Sequence, residues 1–253
     1  MTPAAIAGRA LVAFALVALP WAALAQTLTV SAAASLTDAF REIGARFEAS
    51  RPGTTLRFNF ASSGVLIQQI LQGAPVDVFA SADRETMDRG VARGAIDADT
   101  RRDFAANALV MIVPTAGGPA PTGLADLATP LVRRIAVGKI ATAPVGRYTK
   151  QALDAASLWG PLERKFVFGD NARQVLDYVV RGEVEAGFVY LTDAALMGER
   201  VRIALTIAGH SPITYPAAVV ADSRLKPLAR DFVAFLSGSQ AQAILARHGF
   251  ARP

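Results

Sequence analysis

The chain has 253 residues, no cysteine, two histidines and a formal net charge of +5 from 26 basic and 21 acidic side chains. The missing cysteine excludes disulfide stapling and a lipid-anchored amino terminus, so stability falls to a packed core, for which the chain is long enough. Scattered basic residues without interleaved aromatics give no reason to expect nucleic acid, and His210 and His248 stand far apart without metal-ligand neighbours.

Residues 1–25 carry one charge, Arg9, then an apolar stretch from Ala10 to Leu19 and the small-residue pattern Ala23-Leu24-Ala25. This is the pattern of a secretory signal cleaved after Ala25, because the apolar run is shorter than the ~20 residues of a bilayer span. The expected location is the periplasm.

Leu28 to Ala32 reads as a buried strand, and Leu36, Ala39, Phe40, Ile43 and Phe47 mark a helix of period 3.6 after it. Pro52-Gly53 turns the chain into a second strand, Thr55 to Phe60, and a second helix, Val65 to Leu71, closed by Gly73. Val76 to Ala80 is a third strand, followed by Asp83 and a helix through Arg89. Ala108 to Val113 reads as a strand leaving this region, and the Gly/Pro-rich stretch from Ala116 to Thr122 as a loop. A second set of units follows: strand Ile135 to Val137, helix Val145 to Ala156, strand Lys165 to Phe168, helix Ala172 to Val180 and strand Ala186 to Tyr190. Thr214 to Val220 is a further strand, with closing helices Pro227 to Leu236 and Ser239 to His248. The alternation predicts an α/β protein of two lobes with mainly parallel sheets, whose ligands bind at the carboxyl ends of strands.

Four junctions share one chemistry: Ala34-Ser35-Leu36, Ser62-Ser63-Gly64, Ala143-Pro144-Val145 and Asp170-Asn171-Ala172. Each ends a strand and starts a helix, where free N–H groups and the positive end of the macrodipole can hold an anion. Ser35 can equally be a helix cap, with Asp38 in the third position of a near capping box. Gly64 allows close approach to the backbone, Pro144 starts a helix without wasting a donor, and Asp170-Asn171 can cap the helix at Ala172. Tyr190 ends a buried strand, where its hydroxyl needs a partner.

The segments A-A-A-S-L-T-D-A-F (Ala32 to Phe40), F-A-S-S-G (Phe60 to Gly64), G-A-P-V-D-V-F-A-S-A-D (Gly73 to Asp83), P-V-G-R-Y-T-K (Pro144 to Lys150) and G-F-V-Y-L-T-D (Gly187 to Asp193) resemble the periplasmic molybdate-binding proteins of ABC transporters. The resemblance runs from Thr27 to the carboxyl terminus. It implies a type II periplasmic binding fold with lobe 1 at 26–105 and 216–253, lobe 2 at 106–215, and a cleft between them. By position it gives the oxyanion-binding roles to Ser35, Ser63, Val145, Ala172 and Tyr190, the valine and alanine acting through backbone N–H. It further implies a monomer that binds molybdate and tungstate with neither cofactor nor metal cation, delivers them to an inner-membrane ABC permease and is not an enzyme. Lys139 and Val145 depart from the family pattern, and Lys139 would place a positive charge near the cleft mouth.

Two other readings compete. The same fold could bind sulfate, phosphate or a small organic anion. A serine hydrolase would make Ser35 or Ser63 a nucleophile with His210 or His248 as base, but the sequence has neither a nucleophile elbow nor an orienting carboxylate pattern.

Overall fold

The computed structural model describes residues 26–253 apart from residue 119, so the expected signal at 1–25 lies outside the described residues. Strand β1, Gln26–Ala33, lies parallel between β2, Thr54–Ala61, and β3, Val78–Ala80. Helix α1, Thr37–Ser50, connects β1 to β2, α2, Ser63–Leu71, connects β2 to β3, and α3, Arg84–Ala92, follows β3. Strand β4, Arg102–Asn107, completes this part, and after a single residue β5, Leu109–Pro114, opens in a different sheet.

The second sheet then forms from β6, Ile135–Gly138; α4, Pro144–Ala155; α5, Trp159–Leu162; and β7, Phe166–Gly169. It is completed by α6, Ala172–Val180; β8, Ala186–Tyr190; α7, Leu191–Leu196; and β9, Val201–Ile207. Strand β10, Ile213–Val219, returns to the first sheet, and α8, Lys226–Leu236, and α9, Ser239–Arg247, close the chain.

The two sheets have orders β2-β1-β3-β10-β4 and β7-β6-β8-β5-β9. Their topology is the same: β10 and β5, the strands that arrive from the other sheet, occupy the fourth position and run antiparallel to both neighbours. The other strands of each sheet share one direction, so the parallel βα units are as expected while each sheet as a whole is mixed.

The sequence pattern missed the outer strands β4 and β9 and the short helices α5 and α7. Both strands lie at sheet edges with one neighbour each; β4 is polar at both ends, and β9, although mostly apolar, is exposed through its middle.

Helix α1 buries Ala39, Phe40, Ile43, Gly44 and Phe47 against the first sheet, the face its periodicity predicts. Phe40 is fully buried, with its ring centroid 6.2 Å from that of Phe58, 5.7 Å from Phe104 and 6.1 Å from Phe232. This cluster joins α1, β2, β4 and α8, so it locks the first turn of α1 in place beneath the junction at Ser35. Phe40→Ala should cost about 3–5 kcal/mol through lost burial and the cavity left behind. Urea denaturation followed by circular dichroism measures it; an unchanged midpoint would mean that the aromatic cluster does not hold this lobe together.

Candidate functional site

Register brings the junctions together. In the parallel pair β1/β2, Ala33 stands beside Ala61, so two residues further along both chains Ser35 and Ser63 emerge at the same carboxyl-terminal edge. In β6/β7, Gly138 stands beside Gly169, and the helices that follow begin at Pro144 and Ala172. These two edges face each other. Ala33, Ala34, Ser35, Ser62, Ser63 and Ala82 from the first lobe and Ala143, Pro144, Val145, Asn171, Ala172 and Tyr190 from the second enclose one space. All five residues expected at the site line it. Its volume, for the centre of a water-sized sphere, is about 10 Å³, too little for a sugar or a peptide.

The first turns are rich in donors without acceptors. In α6 the Asn171 Oδ1 accepts from Arg173 N–H at 3.0 Å and Gln174 N–H at 3.1 Å, and Val175 N–H reaches Asn171 O. Ala172 N–H is therefore left over. In α4, Pro144 has no N–H, and Gly146 and Arg147 donate to Ala143 O, leaving Val145. In α2, Gly64 and the two following N–H groups are taken, leaving Ser63. Among the described residues no partner is found for these three N–H groups, nor for the buried hydroxyls of Tyr190 and Ser62. Burial holds the Tyr190 phenol well above its usual pKa, so it stays a neutral donor.

Several local expectations change. Ser35 caps no helix: its Oγ lies 3.0 Å from Tyr215 OH, and α1 starts without a side-chain cap. Asp38 completes no capping box and instead binds Arg173 of the opposite lobe at 2.8 Å. Asn171 alone caps α6, because Asp170 is drawn away to pair with Lys139, and both of those side chains are more than half exposed. Gly146 N–H is satisfied within its own turn, so Pro144 leaves only the Val145 donor. Gly64 is required by protein, not by a ligand: its N–H donates to Thr142 O of the second lobe at 2.9 Å, and a Cβ there would stand 2.5 Å from that oxygen.

Sequence reasoning missed the side chains that join the lobes. Arg147 of α4 reaches across to Asp83, bonding through Nε at 3.1 Å and also through Nη2, and donates to Thr86 Oγ1 at 2.7 Å. Both ionic side chains are nearly buried, at 11 % and 6 % exposure. On the other side Arg173 sits between Asp38 and Asp193, with Nε 2.7 Å from Asp193 Oδ1, close enough for an ion pair though not aligned for a hydrogen bond. Asp83 and Arg147 lie inside segments that carried the family resemblance, yet nothing in a single sequence pairs residues so far apart.

The comparisons with known proteins agree with this geometry. The bacterial extracellular solute-binding protein family matches residues 28–251. The molybdate-binding protein ModA of Escherichia coli (strain K12) is 36% identical over 228 residues, covering 88% of each chain. The chain belongs to the ModA family of bacterial extracellular solute-binding proteins. Among solved structures, the periplasmic molybdate-binding protein of Azotobacter vinelandii superposes with a TM-score of 0.78 at 24% identity, covering 89% of this chain and 99% of that one. The sulfate-binding protein SubI of Mycobacterium tuberculosis H37Rv does so with 0.80 at 18% identity, over 90% and 87%. At these identities both establish the two-lobed fold alone.

Gly64→Ala should oppose lobe closure, because its methyl group meets the Thr142 backbone, which cannot rotate away. The expected outcome is a larger radius of gyration by small-angle scattering with the melting temperature of each lobe's core retained; an unchanged radius would mean that the lobes close without this contact.

Asp193 is fully buried, and burial pushes its carboxyl up to about 6 against the opposing pull of Arg173. The folded state thus holds this proton more tightly than the unfolded chain, whose carboxyl titrates near 3.9. Its stabilising contribution is complete below that lower value and is lost as pH rises through about 6. Asp193→Asn should remove this component, so its melting temperature relative to the parent should rise between pH 4 and pH 7; parallel melting curves across that range would rule it out.

Proposed function

We propose that this chain captures molybdate, and tungstate with it, in the periplasm and delivers it to an inner-membrane ABC permease. The observation that carries this reading is the buried, unpartnered Tyr190 hydroxyl, which lines the same small space as two serine hydroxyls and the free N–H groups of Ser63, Val145 and Ala172. A fully ionised tetrahedral oxyanion has only acceptors, which is what such a set of donors requires. Among the described residues no charged side chain lines the space, so the oxyanion would be held by neutral dipoles at helix starts without cofactor or metal cation. The family and the names of its relatives support molybdate over other oxyanions.

In this reading Ser35, Ser63, Val145, Ala172 and Tyr190 are the binding residues, the first two from a lobe of residues 26–105 and 216–253, the others from a lobe of residues 106–215. The working form is a monomer beginning at Gln26 after signal cleavage. It is a receptor and not an enzyme. The histidines a hydrolase would need are engaged elsewhere, His210 with Ser211 O and Ile207 O and His248 with Glu42, and neither lines the space.

Isothermal titration with molybdate, tungstate, sulfate and phosphate tests the assignment. Molybdate and tungstate should bind, and Ser35→Ala and Ser63→Ala should each weaken them about ten- to a hundredfold, the worth of a hydrogen bond to a charged group. Sulfate binding as tightly as molybdate would overturn the molybdate assignment; unchanged affinity in either variant would remove that serine from the site.

A further inference from the structure

The contact between Ser35 Oγ and Tyr215 OH, 3.0 Å long, does not by itself say which hydroxyl donates. Its neighbours do. Asn107 Oδ1 accepts from Ala108 N–H at 2.9 Å, which fixes the orientation of the amide. The Nδ2 group must then use its two hydrogens on Thr192 Oγ1 at 2.9 Å and on Tyr215 OH at 3.3 Å. Tyr215 accepts from Asn107, so its own single proton goes to the remaining polar neighbour, Ser35 Oγ. Ser35 is thereby an acceptor on its protein side, and its own proton is free to point into the slot. The second serine is fixed the same way, since Ser63 Oγ accepts from Ala82 N–H at 3.0 Å.

We infer that Asn107 and Tyr215 are positioning residues that fix the direction of the Ser35 hydroxyl proton, so that Ser35 presents a donor to the slot and favours fully deprotonated oxyanions there. The inference rests on the reading of the slot as an oxyanion site. Neither residue lines the slot; both act through Ser35. Tyr215 is fully buried, and burial keeps its phenol protonated, so the relay does not reverse by ionisation. Asn107 closes β4 at the point where the chain leaves the first sheet, Tyr215 lies on the returning β10, and Thr192 belongs to α7 of the second lobe. The relay therefore draws its polarity from both lobes at the crossing.

The chemical consequence concerns charge-matched anions. At pH 8 hydrogenphosphate carries the same double charge as molybdate but keeps one proton, which needs an acceptor. With Ser35 oriented by Tyr215 it meets a donor at that position. In Tyr215→Phe the Ser35 oxygen loses its donor, the hydroxyl is free to turn, and a lone pair becomes available to accept that proton. Asn107→Asp reverses the relay: the new carboxylate accepts from Tyr215, Tyr215 then accepts from Ser35, and the Ser35 proton is withdrawn from the slot.

The test is titration of the full mature chain with molybdate and with hydrogenphosphate at pH 8, for the parent, Tyr215→Phe, Asn107→Asp, Ser35→Ala and both double variants with Ser35→Ala, each checked by its melting curve. Tyr215→Phe should lose about tenfold in molybdate affinity while the molybdate-to-phosphate preference narrows by at least as much. Asn107→Asp should lose more molybdate affinity than Tyr215→Phe. In the Ser35→Ala background Tyr215→Phe should change neither anion further, a non-additivity that marks action through Ser35. The charge introduced by Asn107→Asp is separated in the same way, since a purely coulombic penalty persists without the Ser35 hydroxyl. Equal losses for both anions, or full additivity with Ser35→Ala, would overturn the relay even where the parent binds molybdate well. A parent that binds no oxyanion would overturn the reading of the slot itself, and with it the relay.

Discussion

A helix that starts inside a protein leaves N–H groups that its own turns cannot satisfy, and each one buried without an acceptor costs about 1–3 kcal/mol. Here such starts come from both lobes and point at one another. The arrangement follows from the sheets: parallel strands in register deliver their following helices at one edge, and the duplicated strand order does so in each lobe. The N–H groups of Val145 and Ala172 and the Tyr190 hydroxyl are left facing the gap, across from Ser35 and Ser63. The fold thus carries a set of donors without acceptors, the complement of an acceptor-only guest.

Closing the lobes over such a gap requires contacts that do not use the donors. Two arginines provide them, one on each side. Arg147 is the more buried, and a nearly buried ion pair contributes little by existing but costs about 3–5 kcal/mol when one partner is removed. Asp83 has a second commitment, accepting from Thr86 N–H at the start of α3, so the residue that receives Arg147 is itself fixed by the helix it caps. Arg173 follows Ala172 directly in α6. Its pairing with Asp38 therefore orients the same helix start that presents the Ala172 N–H.

Most of the fold was legible because buried parallel strands and amphipathic helices write their burial into residue spacing. The buried positions of α1 and the cap-to-helix transition at Asn171 follow from that local pattern. That Ser35, Ser63, Val145, Ala172 and Tyr190 would meet at one gap was legible for a different reason: the strand-to-helix junctions suggested anion chemistry, and the family motifs suggested the roles. Long-range polar partners left no local mark. Ser35 has the composition of a helix cap and Asp38 that of a capping box, yet Tyr215 lies 180 positions away and Arg173 lies 135. Tertiary contact overrode the local preference in both cases. Edge strand β4 escaped because its short apolar centre is flanked by polar residues.

How far the two lobes can close over the gap is limited by the backbone. Gly64 N–H meets Thr142 O at 2.9 Å, already the length of a good hydrogen bond, so the lobes cannot approach further at that point. Backbone contacts do not have the rotamer freedom by which side chains adapt. An anion large enough to touch both lobes satisfies them together. The backbone contact limits how far the lobes close, and the neutral lining of the gap presents donors from both.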